Sequence, residues 1–219
     1  MALVKICGIR SEGDALAASA AGADILGFHV GLTGARAPLE SENAAKIIAK
    51  LPASVSGAMV TSIVEPERLI ELARATGAKI LQLYGDATPE TILAVKKALP
   101  RVQVWKVLNV ADERSIAEAK RYEKVADATA LDTLNKETGV RGGTGRTHDW
   151  NISRKIVESI SIPVILAGGL NPDNVSEAIK TVHPYAVDVN SGVSNPDGSK
   201  NLEKVSLFVE RAKAPGRAR

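Results

Sequence analysis

The chain has 219 residues, of which 45% are hydrophobic, 24% charged and 3% aromatic, and its net charge is +3. This length suits one large α/β domain or two small domains, and no linker-like stretch argues for two. Scattered cations with few aromatic side chains exclude a stacking platform for nucleic acid, and no apolar run approaches the length of a membrane span. We therefore expect no nucleic-acid or membrane partner; the basic excess suits a small anionic substrate.

Cysteine and histidine usage narrows the class of protein further. Cys7 is the single cysteine, so neither an internal disulfide nor a cysteine-based zinc site can form. The three histidines, His29, His148 and His183, lie far apart and lack the spacing of metal ligands. The segment after Met1 does not have the architecture of a signal peptide. These features predict a cytoplasmic protein without a metal site.

Apolar, strand-like runs alternate along the chain with amphipathic helical patterns, which indicates repeated βα units and a parallel sheet. The predicted strands are Leu3–Cys7, Asp24–Val30, Ser54–Val60, Lys79–Tyr84, Gln103–Leu108, Ala126–Asp132, Pro163–Ala167 and Ala186–Asn190. Eight units predict one (β/α)8 TIM barrel over residues 1–211, followed by a frayed basic tail over residues 212–219. The rival is an open doubly wound sheet, which usually has fewer strands and a G-x-G-x-x-G motif after the first strand, absent here.

Local helix signals agree with this division. Ser11 and Thr88 are predicted N-caps, and Pro89 follows Thr88 at the first helical position. Gly77 stands where the third helix should stop. Asn171 is predicted to be the N-cap of the seventh helix, with Pro172 at its first helical position.

Three reactive side chains lie at or near the carboxyl ends of predicted strands, where the active site of such a barrel is found. Cys7 ends the first strand, Asp132 ends the sixth and Asp188 lies in the eighth. Because side chains alternate between faces, Lys5 and Cys7 share a face, and Asp188 on the neighbouring strand is predicted to pair with Lys5. A nearby ammonium would favour the thiolate of Cys7, whereas most free cysteines are only small buried hydrophobes.

Two glycine turns follow the seventh and eighth strands. Gly168 and Gly169 precede a helix start, and Ser191 and Gly192 end the next strand. Glycines let backbone N–H groups approach a phosphate, and the helix beyond adds the positive end of its dipole. Either turn could be an ordinary tight turn, but in tandem they predict a phosphate site.

A longer glycine-rich loop, residues 142–150, follows the sixth strand and superficially resembles a P-loop. Val140 and Arg146 stand where a Walker motif needs glycine and lysine, so the loop is not one. Its length predicts a lid over the substrate. His148, within it, is predicted to be a packing residue.

Five motifs occur in the order known from one enzyme family: Lys5–Ile9, Leu131–Thr133, Gly142–Thr147 with Asp149–Trp150, Ala167–Pro172, and Val187–Val189 with Ser191–Val193. The chain thereby resembles the phosphoribosylanthranilate isomerases over essentially its whole length. The resemblance implies a (β/α)8 barrel that catalyses a cofactor-free Amadori rearrangement in tryptophan biosynthesis. Its partner would be a small phosphosugar, and it would act as a monomer or a homodimer.

The resemblance also implies roles for single residues. Asp132 would be the general acid and Cys7 the general base. Arg36 would hold the carboxylate of anthranilate. The remaining substrate-binding positions, which include the phosphate-binding turns, are Asp188, Gly168, Gly169, Ser191, Gly192, Gly143 and Thr144.

Some positions depart from the family pattern. Gly31–Ala35 replaces a more ordered loop before Arg36, Tyr84 replaces a histidine and Asn190 replaces a serine. We expect most of these changes to lie around the anthranilate end rather than at the acid and base. They leave two alternatives open: a related barrel isomerase for another phosphosugar amine, and a non-catalytic phosphosugar-binding barrel.

Overall fold

The computed structural model describes residues 1–35, 38–133 and 147–214, and it contains a closed barrel of parallel strands. The strands are β1 Leu3–Ile6, β2 Ile25–His29, β3 Ser56–Thr61, β4 Ile80–Leu83, β5 Gln103–Val110, β6 Ala128–Thr133, β7 Val164–Leu166 and β8 Ala186–Val189. The helices are α1 Glu12–Ala20, α2 Ser41–Ile48, α3 Pro66–Thr76, α4 Pro89–Ala98, α5 Arg114–Glu123, α6 Trp150–Ser159, α7 Val175–Val182 and α8 Leu202–Lys213. A short 3-10 helix, Ser191–Val193, follows β8.

The strands pair in chain order, and β8 closes the barrel against β1. At this seam Lys5 stands opposite Asp188 in the register. The predicted (β/α)8 barrel is therefore confirmed, and the open doubly wound sheet is excluded.

Side-chain caps fix several helix ends where the sequence predicts them. Ser11 accepts a hydrogen bond from the Asp14 N–H at 3.0 Å, and Thr88 accepts one from the Thr91 N–H at 3.3 Å. Each bond satisfies an N–H group that has no partner inside its helix. Gly77 ends α3 in the left-handed region, at φ 66°.

The predicted start of the seventh helix at Asn171 is wrong by a few residues. Asn171 does accept hydrogen bonds, from the N–H groups of Asp173 at 2.8 Å and Asn174 at 3.2 Å. Its own N–H, however, donates to the side chain of Asn174 at 2.9 Å, which closes a separate turn. Regular helix therefore begins only at Val175.

Two apolar cores lie on opposite sides of the sheet. The larger one packs the outer faces of the strands against the helices, and each fully buried side chain such as Phe208 contributes roughly 1.5–3 kcal/mol. The smaller core fills the barrel interior and contains Ile25, Ile80, Trp105 and Ile165. Because successive side chains of a strand point to opposite faces, Lys5 and Asp188 also point into the interior, where they add polar groups to this apolar layer.

Helix α8 packs onto the barrel and reaches Lys213. Residues 215–219 of the predicted tail lie outside the described residues. Within the part of the chain that the structure describes, no helix combines the length and the apolar composition needed to cross a bilayer.

Candidate active site

A buried ion pair lies at the seam of the barrel, as the sequence predicts. Lys5 Nζ and Asp188 Oδ2 are 2.7 Å apart; Lys5 is fully buried and Asp188 is 5% exposed. The other carboxylate oxygen, Oδ1 of Asp188, is buried without a hydrogen-bond partner among the described residues. The predicted pairing is confirmed, and it leaves one acceptor oxygen inside the barrel.

Gly27 gives Lys5 and Cys7 the space to lie side by side. A Cβ atom at position 27 would be 2.7 Å from the Cys7 sulfur and 2.9 Å from Lys5 Nζ. Such distances are well inside van der Waals contact, so a side chain at this position of β2 would displace both groups. Close approach, rather than backbone conformation, is thus the reason for glycine here.

The electrostatic surroundings of Cys7 work in opposite directions. Burial raises the pKa of the Cys7 thiol above its ordinary value, and the Lys5 ammonium lowers it. The charge of Asp188 raises the thiol pKa again. Lys5 therefore acts in the predicted direction, but burial outweighs it, so the thiol pKa stays above its ordinary value.

His29 is a neighbour of Cys7 that the sequence reasoning missed. Its Nε2 lies 3.4 Å from the Cys7 sulfur. Burial, followed by the charges of Lys5 and Lys200, lowers the pKa of His29 to about 4, so the imidazole is neutral near pH 7. The only signal in the sequence is its place at the end of β2, two residues beyond Gly27 on the same face.

Asp132 lies at the carboxyl end of β6 and is held by two donors. The hydroxyl of Tyr84 donates to Oδ2 at 2.8 Å, and the Thr133 N–H donates to Oδ1 at 2.7 Å. Burial raises the pKa of Asp132, while both hydrogen bonds oppose that rise. Contrary to expectation, the Tyr84 departure therefore lies at the acid itself, because the phenol reaches across from β4.

Tyr84, which is hydrogen-bonded to Asp132, is also affected by the charges of Cys7 and Asp188. The pKa of Tyr84 is raised well above its ordinary value by burial and, in addition, by the charges of Asp132, Cys7 and Asp188. Charges act over such a range only when they lie in a common, poorly solvated space. Strand order independently places Cys7, Asp188 and Asp132 at or near the carboxyl end of one closed barrel.

The two glycine turns meet each other. Gly168 and Gly169 adopt φ values of 82° and 68°, which favour glycine, and a Cβ on Gly168 would lie 2.2 Å from Thr133 Oγ1. A Cβ on Gly192 would lie 2.0 Å from the carbonyl oxygen of Leu170. The turns after β7 and β8 are therefore in backbone contact.

Lys200 adds a second buried cation beside the turn that follows β8. Its Nζ donates to Asn190 Oδ1 at 2.9 Å and to Ser194 Oγ at 2.8 Å. Burial lowers the pKa of Lys200 to about 8. Its hydrogen-bond acceptors are neutral oxygens, and the charges of Cys7, Asp14 and Asp188 act on it through space.

His148 has both ring nitrogens engaged by hydroxyl groups. Nδ1 lies 3.0 Å from Thr133 Oγ1, and Nε2 lies 2.6 Å from Ser153 Oγ. Burial lowers the pKa of His148 to about 4. These contacts agree with the predicted packing role and brace the residue that follows Asp132.

Several predicted site residues lie outside the described residues. They are Arg36, Gly143 and Thr144, together with Arg146 and most of the predicted lid. Their assignments remain predictions from the sequence.

The buried seam pair gives a stability prediction. Lys5→Met should lower the free energy of unfolding by about 3 to 5 kcal/mol, because it leaves the Asp188 carboxylate buried without its cation. Urea unfolding followed by circular dichroism measures the loss. The matched control is Lys50→Met, which removes an ion pair with Glu12 whose side chains are 59% and 47% exposed and should barely change stability. Equal effects of the two substitutions would contradict the prediction.

A family model and the sequence relatives point to the same family. The model of the family described as N-(5'-phosphoribosyl)anthranilate (PRA) isomerase matches residues 4–211. A relative from Methanosarcina mazei, called N-(5'-phosphoribosyl)anthranilate isomerase 2, is 41% identical over 211 residues, which cover 96% of this chain and 93% of the relative.

Solved structures agree with the sequence relatives. The phosphoribosyl anthranilate isomerase of Thermotoga maritima superposes with a TM-score of 0.86 at 34% identity, covering 98% of this chain and 100% of that one. Another isomerase structure of this kind, in complex with reduced 1-(o-carboxyphenylamino)-1-deoxyribulose 5-phosphate, gives a TM-score of 0.83 at 32% identity with the same coverage.

Proposed function

The chain belongs to the N-(5'-phosphoribosyl)anthranilate isomerase family, and we propose that it catalyses the family's Amadori rearrangement in tryptophan biosynthesis. The substrate would be N-(5'-phosphoribosyl)anthranilate and the product 1-(2-carboxyphenylamino)-1-deoxyribulose 5-phosphate. The observation that carries the proposal is that Cys7, Asp132 and the two glycine turns all lie at the carboxyl ends of strands of one closed barrel, in a chain of this family. No step of the proposed reaction needs a cofactor.

Asp132 is the proposed general acid. Its proton passes to the ring oxygen of the furanose as the C1–O bond breaks, and the amine nitrogen supplies the electron pair that forms an iminium ion. Burial keeps the pKa of this carboxyl raised, which favours the protonated form that the step requires. Tyr84 and Thr133 hold both carboxyl oxygens and so fix the direction of the proton.

Cys7 is the proposed general base. Its thiolate removes the proton from C2, and the electrons of the C–H bond form the C1=C2 double bond of an enolamine. The enolamine then tautomerises to the ketone: the C2 hydroxyl loses its proton and C1 gains one. Lys5 stabilises the thiolate, whose formation burial opposes.

The phosphate is assigned to the turns at Gly168–Gly169 and Ser191–Gly192, with the charge of Lys200 nearby. The free oxygen of Asp188, Oδ1, is assigned to a sugar hydroxyl, because a buried acceptor without a partner is costly until a ligand supplies a donor. The predicted cytoplasmic location belongs to the same proposal, since Cys7 can serve as a base only while it stays reduced.

Fluorescence tests the proposed function. Purified protein should remove the fluorescence of freshly generated N-(5'-phosphoribosyl)anthranilate in a protein-dependent way. Well-folded protein that leaves this signal unchanged would overturn the proposal. A screen of phosphosugars that carry other amines would then identify a related isomerase, and binding without any turnover would identify a non-catalytic barrel.

Tyr84→Phe should change the pH dependence of this turnover. The phenol donates to the ionised carboxylate and so lowers the pKa of Asp132; its removal raises that pKa. We therefore expect the midpoint that Asp132 governs in the profile of kcat/KM to move to higher pH by about one pH unit. Tyr84→His, which restores a ring N–H donor, should move it less. An unchanged midpoint in the phenylalanine variant would contradict the prediction.

A further inference from the structure

The Lys5–Asp188 ion pair does not by itself bring the pKa of the Cys7 thiol down to its ordinary value. Asp188 Oδ2 lies 2.7 Å from Lys5 Nζ, so the carboxylate partly offsets the positive charge of Lys5 for a third group. They also act in opposite directions on Cys7: Lys5 lowers the thiol pKa and Asp188 raises it. The charge of Lys200 also lowers the thiol pKa, and a hydrogen-bond donor outside the ion pair would stabilise the thiolate further.

The geometry allows His29 to be that donor. Gly27 leaves the space in which the Cys7 sulfur lies, and His29, two residues later on the same face of β2, brings Nε2 to 3.4 Å from it. The contact joins β1 to β2, on the side of Cys7 away from the seam. This placement gives the sulfur a hydrogen-bonding partner independent of the ion pair.

Burial, together with the charges of two nearby cations, lowers the pKa of His29 to about 4 and keeps its imidazole neutral near pH 7. Lys5 and Lys200 both act on it, and an imidazolium would be a third positive charge in the same buried space. A neutral imidazole still carries one N–H group, and a thiolate has no proton of its own to donate. When Cys7 is a thiolate and the ring proton is on Nε2, the hydrogen bond between them is therefore donation from Nε2 to sulfur.

We propose that His29 is a positioning residue for Cys7, donating its Nε2 hydrogen to the thiolate that removes the substrate proton. The inference deepens the proposed function and rests on it for the role of Cys7 as the base. A hydrogen bond to the charged form favours that form, so His29 makes the thiolate easier to reach and fixes the direction of its lone pairs. It needs no change in the charge of His29 during turnover.

The single cysteine of the chain makes the test direct. The rate of alkylation by iodoacetamide, measured against pH on the resting protein, reports the ionisation of Cys7 alone. In His29→Phe, which keeps a ring without an N–H group, we expect the alkylation midpoint to rise by about one pH unit or more. In His29→Gln, whose amide can donate from a similar place, it should stay closer to the parent value.

The control is His183→Asn, which removes an exposed imidazole at the end of α7 and keeps a residue suited to its left-handed backbone, at φ 54°. Its midpoint should equal that of the parent. If His29→Phe does not fold, His29→Leu replaces it. Equal midpoints in the parent and the apolar variant, or equal shifts in the glutamine and apolar variants, would overturn the inference.

The alkylation measurement separates this inference from the proposed function, because it requires no substrate. A shifted midpoint in a protein without isomerase turnover would support the His29 bond while the proposed function failed. Turnover with an unshifted midpoint would support the proposed function and overturn the His29 bond. In an active enzyme, the midpoint of kcat/KM that Cys7 governs should move with the alkylation midpoint, which a purely structural role of His29 would not cause.

Discussion

Cys7→Ala should lower kcat by a factor of about 10² to 10⁴, the range expected when one acid or base group is removed. The substitution deletes only a sulfur atom from a buried position beside Gly27, so the barrel should remain folded. Rapid mixing of enzyme and substrate, with loss of substrate fluorescence followed in a single turnover, measures the chemical step itself.

Cys7→Ser provides the matched control for shape. A hydroxyl has nearly the same size and position but ionises far less readily than a thiol, so the serine variant should be as inactive as the alanine variant. Both should still bind the product. A serine variant with near-parental turnover would mean that position 7 serves packing, and that another group removes the C2 proton.

Asp132→Asn should cause a loss of similar size, about 10² to 10⁴ in kcat. The amide keeps the volume of the carboxyl group and can still accept the bond from Tyr84 or Thr133. It has no acidic proton for the ring oxygen, so ring opening becomes the slow step. The same single-turnover measurement gives the effect.

Asp127 provides a control for the loss of a carboxylate charge as such. Asp127, just before β6 and at the opposite end of the barrel, pairs with Lys96 at 2.6 Å and accepts the Val104 N–H at 2.7 Å. Asp127→Asn should reduce stability and leave kcat of the folded enzyme near the parental value. Comparable losses of kcat in the two asparagine variants would contradict a specific acid role for Asp132.

The sequence was sufficient to predict those features that depend on periodicity and strand order. Each of the eight predicted strands overlaps an observed one, and alternation of side chains placed Lys5 opposite Asp188 once closure of the barrel was assumed. The contact between the two glycine turns follows from the same order of strands.

Contacts between side chains from different strands were not predictable in this way. The His29–Cys7 and Tyr84–Asp132 contacts depend on how far each side chain extends over the mouth, which spacing along the chain does not specify. The resemblance to the family did not predict that Tyr84 contacts Asp132. Because Tyr84 replaces the usual histidine, it suggested a change in substrate specificity rather than a partner for the acid. The late start of α7 has a similar origin, because a competing turn at Asn171–Asn174 takes up the capping groups.

The bond between Lys5 and Asp188 joins groups separated by 183 positions along the chain. Loop-closure entropy opposes contacts of such separation, and they form only after most of the intervening chain has become ordered. Lys5, the cation beside Cys7, therefore takes its final position only when β8 pairs with β1. During refolding from urea, we expect enzymatic activity to return later than helical circular dichroism, so the appearance of turnover times the closure of the barrel.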